Sequence, residues 1–149
     1  MDQPLIEIKS ATKSFGDVRV LDGVNLSIYR AQITSIIGQS GTGKSVLLKH
    51  IIGLLQPDSG QVLFDGKPLA AMKKDERKAL KRKFSYVFQD TALFDFLNVA
   101  ENVALPLMEN TNHHVTTIKE QVQAKLNQLD LYEIEHKYPS QLSGGMKKR

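Results

Sequence analysis

The sequence contains no cysteine. Without thiols the chain can form no disulfide framework, no thiolate metal site and no cysteine nucleophile, which fits a reducing compartment. It also lacks any run of about 18 apolar residues, the length that a membrane-spanning helix needs. The first residues show neither the basic nor the apolar region of a secretory signal. We therefore expect a folded, cytoplasmic protein that can contact a membrane only through a partner.

The composition fits an ordinary globular domain with one basic segment. The 149 residues are 41% hydrophobic, which is enough for a packed core. The formal net charge is +4, and much of the positive excess lies in residues 73–83 (KKDERKALKRK). Apolar residues recur near helical spacing there, so we interpret the segment as a solvated amphipathic helix. Contacts with nucleic acid phosphates or anionic lipid head groups are the alternative interpretation.

Hydrophobic periodicity predicts strands in the first half of the chain and helices in the second. An amphipathic helix is predicted from Ser45 to Leu55. Capping boxes are predicted at Asn98–Glu101 and at Thr117–Glu120, and Pro106 is expected to limit the first of these two helices to about two turns. Along the second helix, one apolar face is expected to consist of Ile118, Val122, Leu126 and Leu129. The predicted strands are Leu5 to Lys9, Val24 to Ile28, Ile33 to Ile37, Gln61 to Phe64 and Phe84 to Phe88.

Residues 38 to 45 read Gly-Gln-Ser-Gly-Thr-Gly-Lys-Ser and match the phosphate-loop pattern G-x-x-x-x-G-K-[ST]. They stand between an apolar run of strand length and an amphipathic helix, which is the context that the pattern requires. Glycines let successive backbone N–H groups point at phosphate oxygens, and the helix N-terminus adds its dipole. Lys44 is expected to reach the β- and γ-phosphates, and Ser45 to ligate Mg²⁺. Alone, the loop indicates a nucleoside triphosphate without selecting a family.

Three further motifs, in the right order along the chain, resemble those of the ABC (ATP-binding cassette) ATPases. Phe15, 23 residues before Gly38, resembles the aromatic residue that stacks on adenine in that family. Gln89 resembles the Q-loop glutamine, which contacts Mg²⁺ and the attacking water. Residues 142–146 (LSGGM) resemble the family signature, with Met146 where the family usually has Gln.

The resemblance implies two sets of site residues. In the family, the signature closes over the γ-phosphate held by the phosphate loop of a second subunit, so Ser143, Gly144 and Gly145 are expected to act in trans. A head-to-tail homodimer with ATP between its subunits follows. The implied Mg²⁺ contacts are Ser45 and Gln89. The implied ATP-binding residues of the chain's own site are Phe15, Val20, Gly38, Gln39, Ser40, Gly41, Thr42, Gly43, Lys44, Ser45 and Gln89.

The resemblance also implies an α/β fold. It consists of a P-loop NTPase core, with a mainly parallel sheet flanked by helices, an N-terminal antiparallel β-subdomain and a helical subdomain. The sheet is expected to be incomplete because the chain stops after the signature, and the fragment alone is expected to bind ATP weakly. We expect one nucleotide-binding domain over 1–149, with the β-subdomain and P-loop core in 1–88 and the Q-loop and helical subdomain in 89–149.

The segment 90–107 (DTALFDFLNVAENVALPL) narrows the resemblance. It is similar to the ATPase subunits of Mla-type transporters, which move phospholipids between bacterial membranes together with proteins carrying MCE domains. The resemblance implies an integral membrane permease as partner, an MCE-domain protein as a further partner and phospholipid as cargo. It also implies that the protein is cytoplasmic and peripheral on the inner membrane, where the permease holds it. An apolar docking groove for the permease is expected at Phe94, Phe96, Leu97 and Val99, with the core of the helical subdomain as the alternative role of these residues.

The family's Walker B Asp, its adjacent catalytic Glu and its switch His have no counterpart in these 149 residues. We therefore assign no catalytic base and expect the fragment to be inactive as an ATPase. His50, His113 and His114 lack further metal ligands at a recognisable spacing. Two alternatives to a transport ATPase stay open, namely a soluble ABC ATPase that acts on nucleic acid or ribosomes and a module that only binds nucleotide. Nucleic acid is the less favoured partner.

Overall fold

The computed structural model describes residues 3–88 and 92–149. The chain divides into two compact units, Met1–Ser85 and Tyr86–Arg149. Within the described ranges, no helix is both long and apolar enough to cross a lipid bilayer. Each unit has its own hydrophobic core.

The first unit is built on a four-stranded antiparallel sheet. Its strands are β1 (Ile6–Phe15), β2 (Val18–Ile28), β3 (Ser59–Phe64) and β4 (Lys67–Pro68), in the order β2-β1-β3-β4. β1 alternates buried and less buried side chains along its first half, as expected for a strand with one face on a core. The antiparallel β-subdomain predicted at the N-terminus is therefore present, with strands longer than the periodicity indicated.

Two helices accompany this sheet, α1 (Lys44–Ile51) and α2 (Lys74–Lys81). α1 ends earlier than predicted because Gly53 adopts a positive φ of 69° and closes a Schellman-type turn. In that turn the Leu54 N–H donates to the Lys49 carbonyl and the Gly53 N–H to the His50 carbonyl. α2 lies inside the basic segment, with Leu80 buried and its lysines exposed. The core joins the sheet to α1 through Ile6, Ile8, Ala11, Leu21, Leu47, Ile51 and Val62.

Two of the predicted strands are not formed. Residues 33–37 and 84–88 belong to no helix and no strand ladder. Ile33 and Ile37 are 98% and 94% exposed, whereas Ile36 and Phe84 pack against the core of the first unit. A parallel strand is held by hydrogen bonds to its neighbours, and no other described segment pairs with either stretch. The parallel sheet is consequently absent from the described residues.

The second unit is helical, with α3 (Val99–Asn110), α4 (Val115–Gln128) and the short α5 (Gly144–Lys148). Asn98 and Glu101 form the predicted capping box at the start of α3, where the Asn98 Oδ1 accepts from the Glu101 N–H at 2.9 Å and the Glu101 carboxylate accepts from the Asn98 N–H at 2.8 Å. The core of this unit consists of Val99, Ile118, Val122, Leu126, Leu131 and Ile134.

Three details of the helical prediction were wrong. Pro106 does not end its helix, which runs to Asn110, because the loss of one backbone hydrogen bond is offset by packing of the next turn at Leu107. Thr117 does not cap α4, since the helix begins at Val115 and the His114 ring accepts the Thr116 N–H instead. Leu129 follows the last residue of α4 and is 42% exposed.

Candidate nucleotide-binding site

The glycine-rich loop leads directly into α1, and two of its glycines adopt conformations that other residues rarely take. Gly41 and Gly43 have φ values of 82° and 86°. Gly43 is the N-cap of α1 and accepts the Leu47 N–H at 2.8 Å. A Cβ atom at Gly43 would lie 2.9 Å from the carbonyl oxygen and from Cγ1 of Val20. The positive φ of Gly43 and the lack of space for a Cβ atom therefore both require glycine at this position.

Lys44 directs its positive charge at the loop. Its Nζ donates to the Gly38 carbonyl at 2.8 Å and also to the Gln39 carbonyl. Thr42 Oγ1 donates to the same Gln39 carbonyl at 2.9 Å. Lys44 and Ser45 open α1, where backbone N–H groups have no partner within the helix and the dipole favours an anion. The loop thus combines an ammonium group, backbone donors and a helix N-terminus, a set that suits phosphate.

The β1–β2 hairpin adjoins the loop through Val20, which contacts Gly43. Phe15 ends β1 and is paired with Val18 across the hairpin. Its ring is 49% exposed, and the Lys13 Nζ lies 5.6 Å from the ring centroid. An exposed aromatic face on the hairpin that adjoins a phosphate-type loop suits a nucleobase, because every base can stack on it.

The residues of the loop also fit a magnesium ion held together with phosphates. The Ser45 side chain is exposed in the first turn of α1 and provides one hydroxyl oxygen. Mg²⁺ commonly takes only one or two protein oxygens and completes its shell with phosphate and water. Among the described residues no group of three His, Cys, Asp or Glu side chains could hold a metal ion by itself. Gln89, the other expected contact, lies outside the described residues.

The signature segment divides its residues between two environments. Leu142 and Met146 pack against the core of the second unit. Ser143 is the N-cap of α5 and accepts the Met146 N–H at 3.2 Å. Gly144 and Gly145 are exposed, and a Cβ atom at either would meet nothing within 4 Å. Open space above two consecutive glycines leaves their backbone accessible to a partner.

The segment before α3 supports part of the expected docking groove. Phe94 and Phe96 are 46% and 75% exposed, and their ring centroids lie 5.6 Å apart. Val99, by contrast, is 7% exposed and belongs to the core, and Leu97 is partly buried. The exposed aromatic pair is therefore the part of this segment that a partner can reach.

Two polar residues without a sequence motif, Asn102 and Asp58, hold the segment before α3 and the end of β1 in place. Asn102 brackets the aromatic segment, since its Oδ1 accepts the Phe94 N–H at 2.8 Å and its Nδ2 donates to the carbonyls of Phe94, Leu97 and Asn98 at 3.0–3.1 Å. Asp58 accepts from the Lys13 Nζ at 2.5 Å and from the Ser14 N–H at 2.7 Å. These two hydrogen bonds, with that of Lys13 the larger, hold the pKa of the Asp58 carboxyl below its ordinary value.

The overlooked residues had different sequence signals. Asn102 stands one residue after the capping box, where nothing in the pattern distinguishes it from a solvated helix residue. Asp58 lies in the Gln56–Gly60 turn, and an aspartate in a turn is ordinarily explained by the turn itself.

Comparison with known proteins agrees with this geometry. The family model described as "ABC transporter" matches residues 21–149. The probable ribonucleotide transport ATP-binding protein mkl of Mycobacterium leprae is 42% identical over 144 residues, which cover 97% of this chain and 42% of the relative. The intermembrane phospholipid transport system ATP-binding protein MlaF of Haemophilus influenzae is 38% identical over 149 residues, which cover all of this chain and 56% of the relative.

A solved structure extends the likeness to the fold. The dimeric post-hydrolysis state of the ATP-binding cassette MJ0796, bound to ADP and Pi, superposes with a TM-score of 0.82 at 32% identity, covering 95% of this chain and 65% of that one. The match confirms the predicted α/β fold class. The chain spans about two fifths of the length of the first relative and just over half that of the second. With its phosphate loop, its signature and a family match over 129 residues, the chain belongs to the ABC transporter ATP-binding family.

Proposed function

We propose that this chain is the ATP-binding part of a transporter ATPase that couples ATP binding and hydrolysis to the movement of phospholipid across or between membranes. The carrying observation is the loop at 38–45, where the Lys44 ammonium, the exposed Ser45 hydroxyl and the N-terminus of α1 converge. Triphosphate is the ligand that this combination of groups suits best.

Each group has a defined task in the proposed complex. The Lys44 ammonium exchanges its loop carbonyls for β- and γ-phosphate oxygens, and the N–H groups of the first turn of α1 bind the same phosphates. Ser45, together with Gln89, would hold the magnesium ion, which would supply positive charge to neutralise the charge that develops on the phosphates. The Phe15 ring would stack on adenine, beside Val20.

The signature is proposed to act on a second copy of the chain. Ser143 offers a hydroxyl, and Gly144 and Gly145 offer backbone that a phosphate can approach closely. The MJ0796 cassette is dimeric with ADP and Pi bound, which supports a head-to-tail dimer here. In the intact protein, Ser143→Arg should abolish ATP-dependent dimerisation, measured by analytical ultracentrifugation, while ATP binding to the monomer is retained. Undiminished dimerisation would contradict the role in trans.

The proposed membrane partner is an integral permease that contacts Phe94 and Phe96, placing the chain at the cytoplasmic face of the inner membrane, with an MCE-domain protein in the same assembly. Exposed aromatic side chains are typical hot spots of interfaces. Phe96→Asp should release the permease in a co-purification experiment. Met108→Asp is the matched control, because Met108 is 62% exposed on α3 and lies outside the aromatic pair. Equal loss in both variants would contradict the assignment.

Phospholipid is proposed as cargo on the 38% identity to MlaF and on the segment 90–107, although the mkl relative carries a different transport name. Mass spectrometry of the detergent-purified permease complex should find bound phospholipid. A ribonucleotide in its place would contradict the proposal. Nucleic acid binding with a steep salt dependence, lost on Lys74→Glu with Lys78→Glu in α2, would favour the soluble alternative instead.

Nucleotide binding itself is tested by Lys44→Ala. Isothermal titration with ATP and Mg²⁺ should show binding by the unsubstituted protein and a loss of about 10- to 150-fold in the variant, since a charge-assisted phosphate contact contributes about 1.5–3 kcal/mol. Lys49→Ala, a lysine one turn further along α1, should bind ATP normally. Equal binding by all three proteins would refute the proposed site.

A further inference from the structure

Asp58 fastens the turn after α1 to the end of β1 by three hydrogen bonds. Its own N–H donates to the Thr12 carbonyl at 2.8 Å. Its carboxylate accepts from the Lys13 Nζ at 2.5 Å and from the Ser14 N–H at 2.7 Å. The next residue, Ser59, adds a 2.5 Å hydrogen bond between its hydroxyl and that of Thr12. Three successive residues of β1 are thereby tied to a two-residue segment.

The tie lies where the sheet itself is irregular. The register between β1 and β2 shifts between Ala11 and Lys13 and again between Lys13 and Ser14. Thr12 is also the last residue of β1 that pairs with β3. Register shifts of this kind interrupt the ladder and leave backbone groups without strand partners. Ser14 lies beyond this last pair with β3, and there the Asp58 carboxylate accepts its N–H.

Phe15 is the residue next to this clamp. The Lys13 ammonium that binds Asp58 also lies 5.6 Å from the centroid of the Phe15 ring. The Lys13 side chain is only 18% exposed, whereas the residue Phe15 is 49% exposed. A half-buried lysine held by a carboxylate and lying near an aromatic ring restricts where the ring can lie.

We propose that Asp58 is a positioning residue for the base of the nucleotide: it holds Lys13 and the Ser14 backbone so that the Phe15 ring is preorganised to stack. The proposal rests on the function proposed above, in which Phe15 stacks on adenine. Preorganisation raises affinity by removing the entropic cost of ordering a side chain on binding, which corresponds to about 3- to 10-fold for one ring. The phosphates, which bind at 38–45, should not sense the change.

The test compares ATP with inorganic tripolyphosphate, each with Mg²⁺, in isothermal titrations of the protein and its Asp58→Asn variant. ATP should bind the variant about 3- to 10-fold more weakly, while tripolyphosphate affinity stays unchanged. Asp65→Asn is the matched control, because Asp65 is an exposed aspartate of the same unit that is ion-paired with Arg30 instead. It should change neither affinity.

A double-mutant cycle isolates the route through the ring. In a Phe15→Ala background, Asp58→Asn should have no further effect on ATP affinity, because the group that it positions is gone. Lys13→Met should mimic Asp58→Asn, and it keeps the Ser14 hydrogen bond, so it guards against loss of folding in the first variant. The chain contains no tryptophan, so Phe15→Trp provides a single fluorophore whose anisotropy should fall when Asp58→Asn is added.

Four results would overturn the proposal. They are an unchanged ATP affinity in Asp58→Asn, an equal loss of ATP and tripolyphosphate affinity, a full effect that persists without Phe15, and an unchanged tryptophan anisotropy. Failure of the underlying function gives a different pattern, in which the unsubstituted protein binds neither ATP nor tripolyphosphate or Lys44→Ala binds both normally. That pattern refutes both proposals, whereas the first four leave nucleotide binding intact.

Discussion

At Gly43 the room for a side chain is set by Val20, whose carbonyl oxygen and Cγ1 would each lie 2.9 Å from a Cβ atom. Gly41 has a similar backbone, with φ of 82° against 86°, but open space around it. Gly41→Ala should therefore lower the free energy of unfolding by about 1–2 kcal/mol through backbone strain alone. Gly43→Ala should cost about 1–3 kcal/mol more, because backbone atoms must also move. Urea denaturation followed by circular dichroism measures both, and equal losses would contradict the steric argument.

Glu76 and Asp58 give the protein an acid-sensitive contribution to stability. The pKa of Glu76 is lowered by hydrogen bonds from the Lys67 Nζ and the Lys73 N–H, and that of Asp58 by Lys13 and Ser14. A carboxyl whose pKa is depressed on folding stabilises the fold above its unfolded pKa, and this contribution is lost as the pH falls through its folded pKa. The urea midpoint should thus change little between about pH 7 and 5 and fall below about pH 4.

Lys67 provides the control for this pH dependence. Lys67→Met removes the larger cause of the Glu76 shift but leaves the Lys73 hydrogen bond, so it should weaken the acid response less than Glu76→Gln does, and the double variant should respond like Glu76→Gln alone. An acid response that is unchanged in all three variants would show that other carboxyls are responsible.

Among the elements, the segment before α3 depends on a single side chain. Asn102 makes four hydrogen bonds, and two of them are to the backbone of Phe94. Asn102→Ala should lower the free energy of unfolding by about 1–3 kcal/mol, because it leaves partly buried backbone groups unsatisfied. Hydrogen exchange should accelerate most at residues 94–98. Asn127→Ala removes one exposed side-chain bond on α4 and should cost less than about 0.5 kcal/mol. Equal exchange rates in the two variants would contradict this role.

Features that depend on residues close in sequence were predictable, whereas features that depend on tertiary packing were not. The Asn98–Glu101 box and the buried positions 118, 122 and 126 of α4 follow from spacing alone, because capping and helical periodicity act within a few residues. The end of α3 could not be read from Pro106, since packing of Leu107 in another part of the unit outweighs one missing hydrogen bond.

Around the phosphate loop, too, local features were predictable from the sequence and long-range contacts were not. The pattern at 38–45 predicted the loop before α1, because its glycines allow the tight backbone turn and Lys44 supplies the positive charge. It could not predict that Asp58 clamps β1, because that contact joins residues 44 and 45 positions apart and depends on irregular strand register. Strands 33–37 and 84–88 failed as predictions for a related reason, because a parallel strand forms only when its neighbours are present.

At the scale of the molecule, the two most exposed large apolar residues of the described ranges lie in one short segment. Ile33 and Ile37 are 98% and 94% exposed. Exposed isoleucines of strand-forming sequence favour association between chains. The 149-residue chain should show concentration-dependent growth in light scattering, and Ile33→Lys with Ile37→Lys should reduce it. Ile36→Lys is the contrasting variant, because Ile36 packs against the core and its replacement should lower the unfolding midpoint. Scattering that is unaffected by the double substitution would locate the adhesive surface elsewhere.

The signature segment has a further consequence for how such a molecule can change over generations. Leu142 and Met146 are constrained by their packing against the core of the helical unit. Ser143, Gly144 and Gly145 face solvent, so they are constrained by the partner or ligand that they contact. Selection for packing and selection for partner contact therefore act on different residues of one five-residue motif. Methionine in the fifth position can therefore be inherited as an adjustment to the interior, while the surface shown to a partner stays the same.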